Sequence, residues 1–163
     1  MDGRLRNMTS LFIQNGSRVL LLYRIGSRVV FPSWCGIGGH FEPNEPNDAR
    51  TCVLREAFEE IGARESDFEH LRLRYLTLRL KDGEIRQNYY FFADLKDPDR
   101  GFTDCPEGEL AWVEMDRLMD YPMPYTAKAA LNHYLREGYR TDLLYAGTAT
   151  LNGKVLFSPL VEF

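Results

Sequence analysis

At 163 residues the chain has material for one domain and not for two. Twenty Lys and Arg against 24 Asp and Glu leave a formal charge of −4, which argues against a nucleic-acid polymer as partner. Hydrophobic residues make up 44%, with ten Phe and nine Tyr among the aromatics, so a packed core is expected and disorder is not.

No apolar run reaches the length that crosses a bilayer, so no membrane association is expected. The opening stretch 1–7 lacks the apolar centre of an export signal. Cys35, Cys52 and Cys105 are odd in number and widely spaced. They suit neither a disulfide framework nor a zinc site, and a reducing cytoplasm is the expected compartment.

In chain order, 9–13 and 18–23 read as strands joined by the turn Asn15-Gly16-Ser17. Residues 29–41, with three glycines and a proline, read as an irregular loop leading into a short strand. Asn47 is the expected N-cap of a helix over 48–61, with Gly62 as its left-handed stop. Leu54, Ala57, Phe58 and Ile61 recur at helical spacing and are expected to face the core.

Two longer strands, 71–80 and 85–95, flank a strong Asp82-Gly83 hairpin signal, and a slip in their alternation predicts a bulge near Tyr75. Residues 97–108 read as loop and 110–113 as a last central strand. A short helix is expected over 116–120. A second helix follows, capped by Thr126, with core positions Ala127, Ala130, Leu131, Tyr134 and Leu135, and stopped by Gly138. Residues 142–146 and 154–160 complete the chain as a small strand pair. Strands, helix, hairpin, strand and helix, without regular βα alternation, define an α/β protein with a mixed sheet and helices packed on it.

The chemistry concentrates in Arg55-Glu56-Ala57-Phe58-Glu59-Glu60-Ile61-Gly62. Residues three and four apart are neighbours on a helix, so Glu56 meets both Glu59 and Glu60, and three carboxylates share one turn. Their repulsion would be relieved by a hard divalent cation such as Mg²⁺ or Mn²⁺, which oxygen ligands select over zinc. A solvated acidic helix face is the bland reading of the triplet alone. The glycine turn before it changes that balance.

Residues 39–63 resemble the signature box of the Nudix hydrolases, G-x5-E-x7-R-E-U-x-E-E-x-G-U, with U a bulky apolar residue. Gly39 and Glu45 match the first half. Arg55, Glu56, Glu59, Glu60 and Gly62 match the second. Nine residues separate Glu45 from Arg55 where the pattern has seven, so two extra residues are expected in the loop before the helix, with Glu45 away from any metal. The resemblance implies one Nudix hydrolase domain over residues 1–163, built as an α/β/α sandwich.

It further implies metal-dependent cleavage of a phosphoanhydride in a nucleoside diphosphate derivative, with a small nucleotide as partner. By the same resemblance Glu56, Glu59, Glu60 and the Gly38 carbonyl are the metal ligands, Glu56 or Glu60 is the proton acceptor, and Arg55 orients a carboxylate. Glu107, ahead of Glu109, is the candidate for a completing ligand from a loop outside the box.

Among the first 40 residues five arginines face one acid, so Arg24 and Arg28 are candidate phosphate contacts. Trp34 is a candidate stacking surface, with Phe31 beside it, though core packing explains such aromatics as well. The run Trp34-Cys35-Gly36-Ile37-Gly38-Gly39 is similar to one in MutT-like members. The marks of the ADP-ribose, dinucleoside-polyphosphate, coenzyme A and NADH subgroups are absent. The expected substrate is therefore a (d)NTP or an oxidised-purine (d)NTP. The competing reading is a non-catalytic Nudix module that binds a nucleotide and signals through a partner, and the intact carboxylate triplet speaks against it.

Overall fold

The computed structural model describes residues 3–25 and 32–162. Alternating apolar residues build β1 (Leu5–Asn15) and β2 (Arg18–Arg24), which pair antiparallel through the expected turn at Gly16, whose φ is +59°. β3 (Ser33–Cys35) follows, then helix α1 (Ala49–Ile61). β4 (Phe68–Lys81) and β5 (Glu84–Leu95) form the long hairpin, with register shifts at Glu69/Arg72 and Leu73/Tyr75. β6 (Gly108–Glu114), helix α2 (Tyr125–Arg136), β7 (Leu144–Ala149) and β8 (Val155–Leu160) complete the chain.

The eight strands form one mixed sheet in the order β3-β2-β1-β5-β4-β7-β8, with β6 along the other side of β2. Parallel pairing occurs between β1 and β5 and between β4 and β7. Strand alternation sends Leu11, Ile13 and Phe91 to one face, where Val53, Ala57 and Ile61 of α1 cover them. Phe12, Tyr90 and Phe92 point to the other, under Ala127, Ala130 and Leu131 of α2. The result is the expected α/β/α sandwich.

Several local expectations are corrected. Asp48, not Asn47, caps α1: its carboxylate accepts from the Thr51 N–H at 2.9 Å and from the Thr51 hydroxyl at 2.7 Å. The buried stripe runs through Val53, Ala57 and Ile61, while Phe58 is 51% exposed, with the Arg64 guanidinium over its ring. Among the described residues β6 pairs with β2 alone, so the expected last central strand lies at an edge of the sheet. Met115–Asp120 is a 3₁₀ segment in place of an α-helix.

Thr126 lies inside α2, buried, with its hydroxyl accepting from Tyr90 at 3.0 Å; Pro124 occupies the cap position. The helix ends at Arg136, and Gly138 opens a further 3₁₀ turn. The short strand of the glycine region is β3, which precedes the glycines; beyond it only isolated bridges, Leu11 to Ile37 and Met8 to His40, tie the segment to β1.

Candidate active site

The glycine segment lies hard against β1. Leu11 and Ile37 exchange backbone hydrogen bonds of 2.6 and 3.0 Å, and the Thr9 N–H donates to the Gly39 carbonyl at 2.8 Å. At Gly38, φ is +147° and a Cβ would stand 2.3 Å from the Thr9 carbonyl oxygen, so only glycine fits. At Gly39 a Cβ would stand 2.6 Å from the Glu56 carboxylate. Backbone and acidic helix face therefore meet without an intervening side chain.

Because α1 begins at Ala49, the two extra residues of the box lie in the loop before it. Glu45 ends in that loop and turns inward, 3% exposed. It accepts a bidentate pair from Arg55, Nε to Oε1 at 2.8 Å and Nη2 to Oε2 at 3.0 Å, and a bond from the Glu42 N–H at 2.9 Å. These bonds, the Arg55 guanidinium first, hold the Glu45 carboxyl down at about 2. Glu45 thus anchors Arg55, a role that its displaced spacing concealed in the sequence.

Arg55 Nη1 then reaches both Glu56 and Glu59 at 2.9 Å. The exposed Glu59 stays at the helix surface, whereas Glu56 is largely buried and its carboxyl is raised by loss of solvent, a rise that Arg55 partly offsets. Glu60 is the most buried of the three, with 4% of its side chain exposed. Burial pushes its carboxyl up to about 7, against the opposing pull of Arg24 and of the Gly38 N–H, which donates to Oε2 at 2.9 Å. A carboxyl titrating near neutrality next to an anionic substrate can take up a proton.

Arg24, at the end of β2, crosses to this cluster. Its Nη2 donates to the Gly38 carbonyl at 2.9 Å, pairs with Glu60 Oε1, and lies 3.1 Å from Glu107 Oε2. Three oxygens expected to hold a metal therefore surround one positive charge. Among the described residues no three acidic, His or Cys side chains close on a single point, since Arg55 draws Glu56 and Glu59 aside. The donor set nonetheless fits a hard divalent cation: all its ligands are oxygens, and a cationic group already stands among them.

Glu107 is brought across from the loop before β6, and Glu109, in β6, stays exposed. Trp34 packs between Tyr23 and Tyr121, with ring centroids 5.1 and 5.2 Å away. Arg28 and Phe31 lie outside the described residues. Beside Gly38 and Arg24 a cavity of about 130 Å³ opens on the α2 face of the sheet. Arg6, Arg79, Arg86 and His40 line it, and none of them is marked in the sequence by spacing or motif. The three free cysteines include a buried Cys52, whose thiol burial pushes up to about 11.

The NUDIX domain model matches residues 4–136. The chain belongs to the Nudix family. It is therefore a hydrolase that acts on acid anhydrides, in a family whose members are generally metal-dependent pyrophosphohydrolases of nucleoside diphosphate derivatives. Solved structures of similar fold include the MutT protein of Bacillus halodurans, 21% identical, with a TM-score of 0.63 over 94% of this chain and 97% of that one. The MutT protein of Methanosarcina mazei Go1 is 18% identical, with a TM-score of 0.69 over 84% and 97%. A C. elegans Ap4A hydrolase is 17% identical, with a TM-score of 0.63 over 81% and 95%.

Proposed function

We propose that the protein hydrolyses a nucleoside triphosphate, a (d)NTP or its oxidised-purine form, to the monophosphate and pyrophosphate, with Mg²⁺ or Mn²⁺ and in a reducing cytoplasm. The observation that carries this is the meeting of Glu60, the Gly38 carbonyl and Glu107 around one cationic position, with Glu56 and Glu59 on the same helix paired to Arg55.

Water supplies the new phosphorus–oxygen bond, the anhydride phosphorus–oxygen bond breaks, and the bridging oxygen leaves with the departing phosphate. A divalent cation held by Glu56, Glu59, Glu60, Gly38 and Glu107 would neutralise the anhydride and lower the pKa of water. Glu56 or Glu60 would accept the proton that water loses, directly or through a second water. Arg55 holds Glu56 and Glu59 in one geometry and is itself fixed by Glu45. Arg24, freed from Glu60 and Gly38, is within reach of a phosphate on the same side.

A phosphate-release screen across nucleotides with Mg²⁺ or Mn²⁺ tests the reading. Glu59→Gln and Glu60→Gln are each expected to lower the rate at least ~100-fold with the fold intact, because each removes one oxygen anion from the ion's ligands. Full turnover by either variant, or by the unsubstituted protein in excess chelator, would overturn it.

A further inference from the structure

The parallel register of β1 with β5 sets Arg6 opposite Arg86, and the antiparallel register of β5 with β4 sets Arg86 opposite Arg79. Three arginines thus stand in one row across adjacent strands, all lining the cavity beside Gly38. Like charges directly opposite each other destabilise a sheet, so such a row calls for a counter-anion. The acids present answer it only at its margin: Glu84 lies 3.6 Å from Arg6 and 3.7 Å from Arg86, and Asp82 lies 3.4 Å from Arg86.

Arg79 makes no ion pair among the described residues and rests on the Tyr125 ring, 5.5 Å from its centroid. The Nε groups of Arg24, Arg79 and Arg86 are buried without a hydrogen-bond partner, and Arg86 as a whole is only 5% exposed. A buried, unpaired guanidinium N–H is costly, and it selects an oxygen anion as its missing acceptor.

Two neighbours add to this. His40 accepts from Arg6 Nε at 2.8 Å and is therefore neutral on that nitrogen, as expected where surrounding arginines and burial oppose a further charge. The first turn of α2, Pro124 to Ala127, also lines the cavity, and no side chain caps it, so the positive end of the helix faces the same space. Among the described residues no Asp or Glu lines the cavity.

We infer that this cavity is an oxyanion site that seats a phosphoryl group of the substrate beyond the anhydride under attack. The terminal phosphates of a nucleoside triphosphate would occupy it, in place of a neutral base or sugar. The site itself stands on its own residues. The identity of the bound group as part of a triphosphate rests on the function proposed above.

Calorimetry with inorganic pyrophosphate in excess chelator reads the site without metal or turnover, since the carboxylate side repels an anion when no cation is present. Saturable binding is expected, weakened at least ~10-fold in Arg79→Gln and in Arg86→Gln. Arg79 is only partly buried, so its variant keeps the test open if Arg86→Gln fails to fold. In turnover assays with Mg²⁺, both variants should raise KM for a triphosphate while changing it little for a nucleoside diphosphate linked to a neutral sugar.

Unchanged pyrophosphate affinity in both variants would overturn the inference, as would a neutral nucleoside that competes with pyrophosphate as strongly as phosphate does. Pyrophosphate binding that needs these arginines, together with no hydrolysis of any triphosphate, would leave the oxyanion site standing and remove the proposed substrate.

Discussion

Arg24 shows how one side chain can serve two sides of a site. Its guanidinium sits among the Gly38 carbonyl, Glu60 and Glu107, so it neutralises oxygens that the proposed metal needs, while the same residue lines the arginine-rich cavity, its Nε buried without a partner. Two cations cannot share those oxygens without strong repulsion. Arg24→Ala is therefore expected to bind Mn²⁺ several-fold more tightly in the absence of substrate, measured by electron paramagnetic resonance of the free ion, and to lose substrate affinity. Weaker Mn²⁺ binding by the variant would show that the arginine supports the ligand set in place of competing for it. The sequence marked Arg24 as a candidate phosphate contact; its position between acids depends on how β2 ends beside the glycine turn, a tertiary fact.

At the scale of elements, the acidic helix α1 was the most legible part of the chain, because a capping residue within one position of the true cap, a helical period and the Gly62 stop are local signals that bound the same segment. The misreadings are also instructive. Phe58 looked like a core position by spacing, yet Val53, Ala57 and Ile61 fill the space under the sheet and leave it outside. The loop of the box, lengthened by two residues, obscured Glu45, whose partner ten positions away is fixed only when loop and helix have both folded. That link has a pH signature. The Glu45 carboxyl falls from an unfolded value of 4.5 to about 2, so its contribution is fully present above 4.5 and is lost as pH falls through about 2. By linkage it is worth roughly 3 kcal/mol at neutral pH. Glu45→Gln should lower the thermal midpoint near pH 6, and the gap to the unsubstituted protein should close as pH approaches 2. A gap that stays constant down to pH 2 would mean that packing, and not the charge, is what the loop contributes.

For the whole molecule, the sheet separates two cores, and the site draws on both: α1 brings the carboxylates on one face, while the arginine row and the α2 N-terminus wall the cavity on the other. The arrangement of strands was beyond local reading because β1 pairs with β5 and β4 with β7 in parallel, contacts that no turn announces. The second core is knitted at Tyr75, fully buried, which stacks on Tyr145 at 5.4 Å and whose hydroxyl meets His133 Nδ1 at 2.9 Å. Gly138 closes over it. A Cβ there would stand 2.0 Å from the Tyr75 oxygen and 3.4 Å from the Tyr134 ring, and a buried tyrosine has no room to withdraw. Gly138→Ala is thus expected to cost about 1–3 kcal/mol by overpacking, seen as a lower thermal midpoint. Because Gly138 follows the C-terminal end of α2, at the other end of the helix from the turn that walls the cavity, kcat at a temperature where both proteins are folded should be unchanged. A variant of normal stability would show that the turn at 138–140 gives way freely, and a stable variant with reduced kcat would show that the two cores are coupled through the sheet.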